Sequence, residues 1–216
     1  MIKAMKYFLH NKDINKIQEH YDKYILARGA ESDPNILHEL HSNDMHIDIA
    51  HYKPTKDFPY HVLGTIGMSG YTIKNAPFKN LELIMFLPED WQIDEKSLQD
   101  EKWYWPIRLL KIVARLPYEC DDIVSVGHTI SMNEKFDPFC NCTKMSCGLL
   151  TFPTWINYDF FTLKYGLIPR KKINFLCLTA ITSDEYGVFK KIGYEKFMEV
   201  TLNKDGIDDL CVRNKR

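Results

Sequence analysis

Two short apolar runs, Leu81 to Leu87 and Ile173 to Ala180, constrain this chain more than any other feature. The second, "INFLCLTA", turns apolar side chains to both faces of an extended segment, so it reads as a strand at the centre of its sheet. The first, "LELIMFL", reads as an apolar-rich strand closed by Pro88, with Glu82 at its rim. Neither run approaches the roughly 20 residues of a membrane helix. A chain of 216 residues, 45% hydrophobic and 26% charged, can bury one sizeable core, and a single domain is expected.

Alternation and helical spacing supply the rest. In Met45 to Tyr52, Ile47 and Ile49 alternate with His46 and Asp48, the pattern of a half-buried strand. "PTKDFP" then turns the chain into a second strand, His61 to Met68, antiparallel to the first. Shorter strands are expected at Ile123 to Ile130 and Gly148 to Phe152. Residues 11 to 28 have helical spacing through Ile14, Ile17, Tyr21, Tyr24 and Ile25, with Asn11 as cap and Gly29 as stop. A second helix occupies 101 to 116, capped by Asp100, with Pro106 setting its start close to Trp105. Thr182 and Glu185 form a capping box for a third helix burying Val188, Phe189 and Ile192. A short helix, Tyr194 to Leu202, precedes a polar, frayed tail from 204 to 216. The expected fold class is mixed α/β (α+β). A central, largely antiparallel sheet is flanked by helices in one domain, 44 to 203, with residues 1 to 43 an N-terminal helix and linker packed on it.

Chemistry is hard to build from these residues. "HIDIAH" sets His46 and Asp48 on one strand face and His51 on the other, so the three do not converge on an ion. Cys140, Cys142 and Cys147 make a CxCx4C pattern with only His128 as an obvious fourth ligand, where structural zinc uses four, most often from CxxC knuckles. All six cysteines are expected as reduced thiols. "GTIGMSG" has neither the GxSxG spacing of a nucleophile elbow nor the lysine of a phosphate loop, and its glycines read as tight turns or close backbone approach. The best acid–base or nucleophilic set is His128 with Asp121, Asp122 or Cys120, and nothing in the spacing fixes its geometry. The expectation is therefore no catalytic residues, no metal and no cofactor. A formal charge of −1 supplies no uniform field for nucleic acid, and no membrane segment is present. The amino terminus lacks a secretory apolar region, and a cytoplasmic location is expected. Tyr118, Trp155, Tyr158 and Phe160, in or beside loops, are the candidate aromatic anchors for a protein partner.

Five segments in series, "HIDIAHYKPTKDFPYHVLGTIGMSGY", "LELIMFLPEDW", "WPIRLLKIVARLPYE", "GHTI" and "LTAITSDEYGVFKKIG", resemble the suppressor of fused family in order and spacing. The resemblance spans roughly residues 44 to 203. It leaves out the first helix, and the cysteine-bearing loop 136 to 147 looks like a local elaboration. It implies a non-enzymatic protein-binding module. Metazoan members bind an extended peptide of a transcription factor as an added strand. Small bacterial members are regarded largely as immunity proteins, or antitoxins, that neutralise polymorphic toxins, often nucleases. The metazoan peptide lies near the segment equivalent to Leu116 through Ser131, which carries the expectation to Tyr118, Asp122, His128 and Thr129. The implied partner is a cognate toxin or an extended peptide segment. A regulatory adaptor unrelated to toxins differs from this only in the partner.

Overall fold

The computed structural model describes residues 9–37, 45–154, 156–167, 170–202 and 211–212. Among the described residues eight strands form one sheet: β1 (Glu31–Leu37), β2 (Asp48–Lys53), β3 (Tyr60–Ile66), β4 (Leu81–Pro88), β5 (Thr129–Ser131), β6 (Met145–Thr151), β7 (Thr162–Tyr165) and β8 (Lys171–Thr182). The spatial order is β1-β2-β3-β4-β8-β6-β5, and β7 lies beside β8. Strands β4 and β8 pair in parallel, and the other strand pairings are antiparallel. This is the mixed, largely antiparallel sheet that the apolar runs and alternating segments require, within an α+β domain.

The central position of β8 follows from its side chains. Leu176, Leu178 and Ala180 join one core with Leu83, Met85 and Leu87 of β4, under helix α2 (Glu101–Glu119). Ile173, Phe175 and Cys177 alternate into the opposite core with Ile84 and Phe86, under helix α1 (Asn11–Ile25). Burying one such Leu, Ile or Phe side chain contributes about 1.5–3 kcal/mol, which is why a strand apolar on both faces takes the middle of the sheet.

Helix α1 is seated by a glycine. A Cβ on Gly64 of β3 would stand 2.6 Å from the Tyr21 ring. The Tyr21 hydroxyl passes over it to donate to the carbonyls of Thr65 (2.9 Å) and Leu83 (3.3 Å). Close backbone approach is thus one use of the glycines around "GTIG".

Strands β6 and β7 form a single line along β8. Thr151 pairs with Cys177 and Thr162 with Asn174, and the chain between them leaves the sheet. That excursion returns Phe160, fully buried, against His20, Tyr21 and Phe175. Phe160 is therefore a core residue, not the surface anchor its loop context had indicated.

Several boundaries differ from the periodic reading. His10, not Asn11, stands at the N-cap position of helix α1, without a side-chain cap, and a 3-10 turn, Leu26–Arg28, carries the helix to Gly29 at φ +96°. Helix α2 starts at Glu101, well before Trp105. The Asp100 carboxylate accepts from the Lys102 amide, and Pro106 lies inside the helix, past its first turn, where it supplies no amide donor. Helix α3 (Ser183–Ile192) has the expected capping box, but Val188 is 44% exposed, and Tyr186, Phe189 and Ile192 pack inward. Helix α4 (Tyr194–Phe197) continues as a wider turn, Met198–Leu202. Cys211 and Val212, placed by sequence in a polar tail, are buried. Cys211 bridges Phe86, and the Val212 amide donates to the Phe86 carbonyl at 2.9 Å.

Candidate functional site

Three polar groupings stand out in this apolar frame, and two of them close on themselves. Glu82, expected at a strand rim, is fully buried between β3 and the "GTIGMSG" turn. Its Oε1 accepts from the amides of Gly67 (3.1 Å) and Ser69 (3.0 Å) and from the Ser69 hydroxyl (2.7 Å). Its Oε2 accepts from the Thr65 hydroxyl at 2.6 Å. Burial raises the Glu82 pKa, and these bonds oppose the rise. The turn can wrap the carboxylate because Gly67 sits at φ +139°, where a Cβ would strike the His46 carbonyl. The motif is a carboxylate cradle inside the core.

The second grouping joins β1, β2 and β3. His51 Nδ1 lies 3.1 Å from Asp33 Oδ2, and His51 Nε2 lies 2.9 Å from His61 Nδ1. All three residues are buried, and Lys53 covers Asp33 at 3.2 Å. Burial lowers the His51 pKa and takes His61 down to about 4. As the alternation requires, His46 turns to the other face and pairs with Asp48 at 2.8 Å.

The cysteine pattern also resolves. The turn closed by the Phe139 amide on the Met145 carbonyl (2.8 Å) brings Cys140 and Cys142 together, and they form a disulfide instead of remaining reduced. Cys147 is buried in β6 on the sheet face of α1, away from that pair, and burial pushes its thiol up to about 11. The three sulfurs do not share a site, and among the described residues no cluster of His, Cys, Asp and Glu has metal-binding geometry.

The third grouping is open. It lies at the end of the sheet, where β5 pairs with β6 and no described strand pairs with its outer side. The strand expected from Ile123 to Ile130 is only Thr129–Ser131, because Asp121 (φ +52°) and Gly127 (φ +81°) turn the preceding chain. That turned segment and the end of α2 enclose a cleft of about 260 Å³, lined by Leu116, Asp122, Ile123, Val124, Gly127, His128, Thr129 and Ile130. The volume is below the ~300–1,000 Å³ of drug-sized sites, and suits one or two side chains of a polypeptide. The His128 carbonyl accepts from the Leu150 amide at 3.0 Å, so the pleat turns the backbone groups of Thr129 away from β6.

Of the predicted residues, Asp122, His128 and Thr129 converge on this cleft. Tyr118 stands beside it, edge-on to Tyr71 at 5.8 Å, and does not line it. Tyr158, 90% exposed, belongs to the excursion between β6 and β7 and lines no part of the cleft. Trp155 lies outside the described residues. As a catalytic set the same residues are unassembled: the Asp121 carboxylate takes the Tyr71 hydroxyl (3.4 Å), and Asp122 takes the Ile123 amide (2.8 Å). Among the described residues no hydrogen bond joins either to the His128 ring. Leu116, Val124 and Ile130 form an apolar floor that the sequence reading did not single out, since it carried only Tyr118, Asp122, His128 and Thr129 to this segment.

The family model of the suppressor of fused protein matches residues 43–212. The chain belongs to the suppressor of fused family. Helix α1 precedes the matched segment, so Tyr21 completes the sheet from outside it. The fold is similar to a suppressor of fused homologue from Neisseria gonorrhoeae FA 1090, with TM-score 0.65 and 14% identity, covering 96% of each chain. It is also similar to a chain of the Sufu–Fu complex (TM-score 0.60, 16% identity, 97% of this chain and 90% of that one). Drosophila Suppressor of Fused gives TM-score 0.57 and 14% identity over 92% of this chain and 48% of its own. No curated protein matches the sequence significantly. Among the described residues no helix is long and apolar enough to cross a membrane.

Proposed function

We propose that this chain is a non-enzymatic protein-binding module that accepts an extended segment of its partner along β5. One partner side chain would enter the cleft between Leu116 and Ile130. The observation that carries the reading is the juxtaposition of an unextended sheet edge with a side-chain-sized cleft. Added-strand recognition needs both: main-chain hydrogen bonds supply affinity, and alternate side chains in pockets supply specificity. The opposite sheet edge suits this poorly, since β1 contains Pro34 and points the buried Asp33 carboxylate inward, two devices that block strand addition.

The partner is a toxin that this protein neutralises as an immunity protein. Similarity of fold to a bacterial homologue over 96% of each chain supports that choice. The test is coexpression with the product of the adjacent reading frame. Rescue of growth and a copurifying complex are the expected result, and persistent toxicity with no complex removes the immunity role. Thr129→Pro separates the mode of binding from the partner. It deletes an outward amide and leaves the β5–β6 ladder intact, so the complex should weaken at least about tenfold with little change in thermal stability. An unchanged complex would rule out added-strand binding at β5.

A further inference from the structure

The hairpin of β7 and β8 carries a second surface, remote in sequence and topology from β5. Register sets Lys164 directly opposite Lys172, and Tyr165 opposite Lys171. The latter pair is neutralised: Asp13 of α1 accepts from the Tyr165 hydroxyl and lies 2.9 Å from the Lys171 ammonium. The former is not. Lys164 and Lys172 are exposed on the other face, and like charges directly opposed across antiparallel strands oppose folding.

Two more cations stand with them. Arg170 is exposed immediately before β8, and Lys79 is exposed two residues before Leu81, whose partner is Asn174, so it stands level with Lys172. Among the described residues none of these four makes an ion pair, although the whole chain carries 29 acidic residues against 28 basic ones. Apolar side chains border the patch. Leu167, between the two strands, is 92% exposed, and a part-exposed aromatic row runs from Phe152 through Phe161 to Phe78 with ring centroids 5.2 Å apart.

We propose that the Lys79, Lys164, Arg170 and Lys172 patch docks an acidic, partly apolar segment of a partner protein. Carboxylates would lie between the cations, and an apolar side chain would lie against Leu167. Folding alone gives no reason to oppose two lysines in register, whereas an anionic partner turns that repulsion into attraction present only in the complex. A polypeptide fits better than a nucleic acid. Four cations on a chain of net charge −1 fall short of the roughly 6–10 phosphate contacts typical of nucleic-acid binders, and exposed leucine and phenylalanine suit apolar contacts.

The probe is a fluorescein-labelled ten-residue peptide of alternating glutamate and leucine, followed by fluorescence anisotropy, with a labelled twelve-nucleotide oligo-dT in parallel. The peptide should bind with marked salt sensitivity and more tightly than the oligonucleotide. Lys164→Glu converts the opposed lysines into a salt-bridged pair, so it should raise Tm by about 1–2 °C while weakening the peptide at least about fivefold. A merely structural lysine would not move the two readouts in opposite directions. Lys164→Gln and Lys172→Gln remove charge without reversing it, and each should weaken the peptide about two- to threefold. Retained affinity in all three variants, no peptide binding at millimolar concentration, or tighter binding of the oligonucleotide would overturn the proposal. Thr129→Pro should leave this peptide's affinity unchanged, so failure here and failure of the β5 reading are distinguishable.

Discussion

At one end of the sheet His51 and His61 stand 2.9 Å apart, each buried, with Asp33 completing the row and Lys53 covering it. At the other end His128 is exposed beside a cleft, and among the described residues the carboxylate of Asp122, which shares it, accepts only from its own neighbour's amide. Both regions would be marked by any scan for histidine near aspartate. The difference lies in satisfaction: polar groups already paired with one another hold strands together, whereas polar groups left facing water beside an apolar recess remain available to a partner. Glu82 is the extreme of the closed kind, with four donors on one buried carboxylate.

The sharpest way to break this contrast is at Glu82. Glu82→Ala leaves the Gly67 and Ser69 amides and two hydroxyls without their acceptor, so urea denaturation should show a loss of about 4 kcal/mol. Glu82→Gln keeps an oxygen for the three donors on Oε1, and its amide can donate to Thr65 Oγ1, so it should cost only about 1 kcal/mol. Equal losses in the two variants would mean that packing, not acceptance of hydrogen bonds, explains the burial of this side chain.

A smaller effect separates the two kinds of site by pH. The buried rings of His51 and His61 have pKa values below their ordinary one, so the unfolded chain takes up protons first on acidification. Their stabilising contribution is complete above the unfolded value near 6.5, and is lost as pH falls toward about 4. Glu82 acts in the opposite sense. Its raised pKa gives a contribution present below the unfolded value and lost as pH rises through the folded one. Urea midpoints of the wild type should therefore fall from pH 7 to pH 4.5. The fall should be shallower in His51→Gln/His61→Gln and steeper in Glu82→Gln. A parallel decline in all three proteins would show that these buried groups do not set the acid response.

Much of the fold was legible because its signals are local. Two-residue alternation identifies β2 and β3, the apolar run identifies β8 as central, and Thr182 with Glu185 identifies the start of α3. What was not legible depends on contacts distant in sequence. Glu82 looks like a rim residue until the donors from Thr65, Gly67 and Ser69 fold over it. Phe160 looks like a surface aromatic until the excursion brings it back onto Phe175. At the candidate site, the family resemblance pointed to Leu116 through Ser131, whereas the turned segment, the short strand after it and the apolar floor depend on the backbone turns at Asp121 and Gly127.

The smallest expected effect on the fold, and the most informative one for function, belongs to the open end. His128→Ala removes an exposed ring for which no side-chain hydrogen bond is formed among the described residues, and Asp122→Ala removes only a local bond to the Ile123 amide. Each should change unfolding free energy by no more than about 0.5 kcal/mol. Against the partner the same changes should cost about 1–2 kcal/mol, a five- to thirtyfold loss of affinity by isothermal titration calorimetry, because in the complex these groups leave water for the rim of an occupied cleft. Loss of stability comparable to the loss of affinity would place His128 with His51 and His61 as part of the scaffold, and would remove the distinction between the two ends of the sheet.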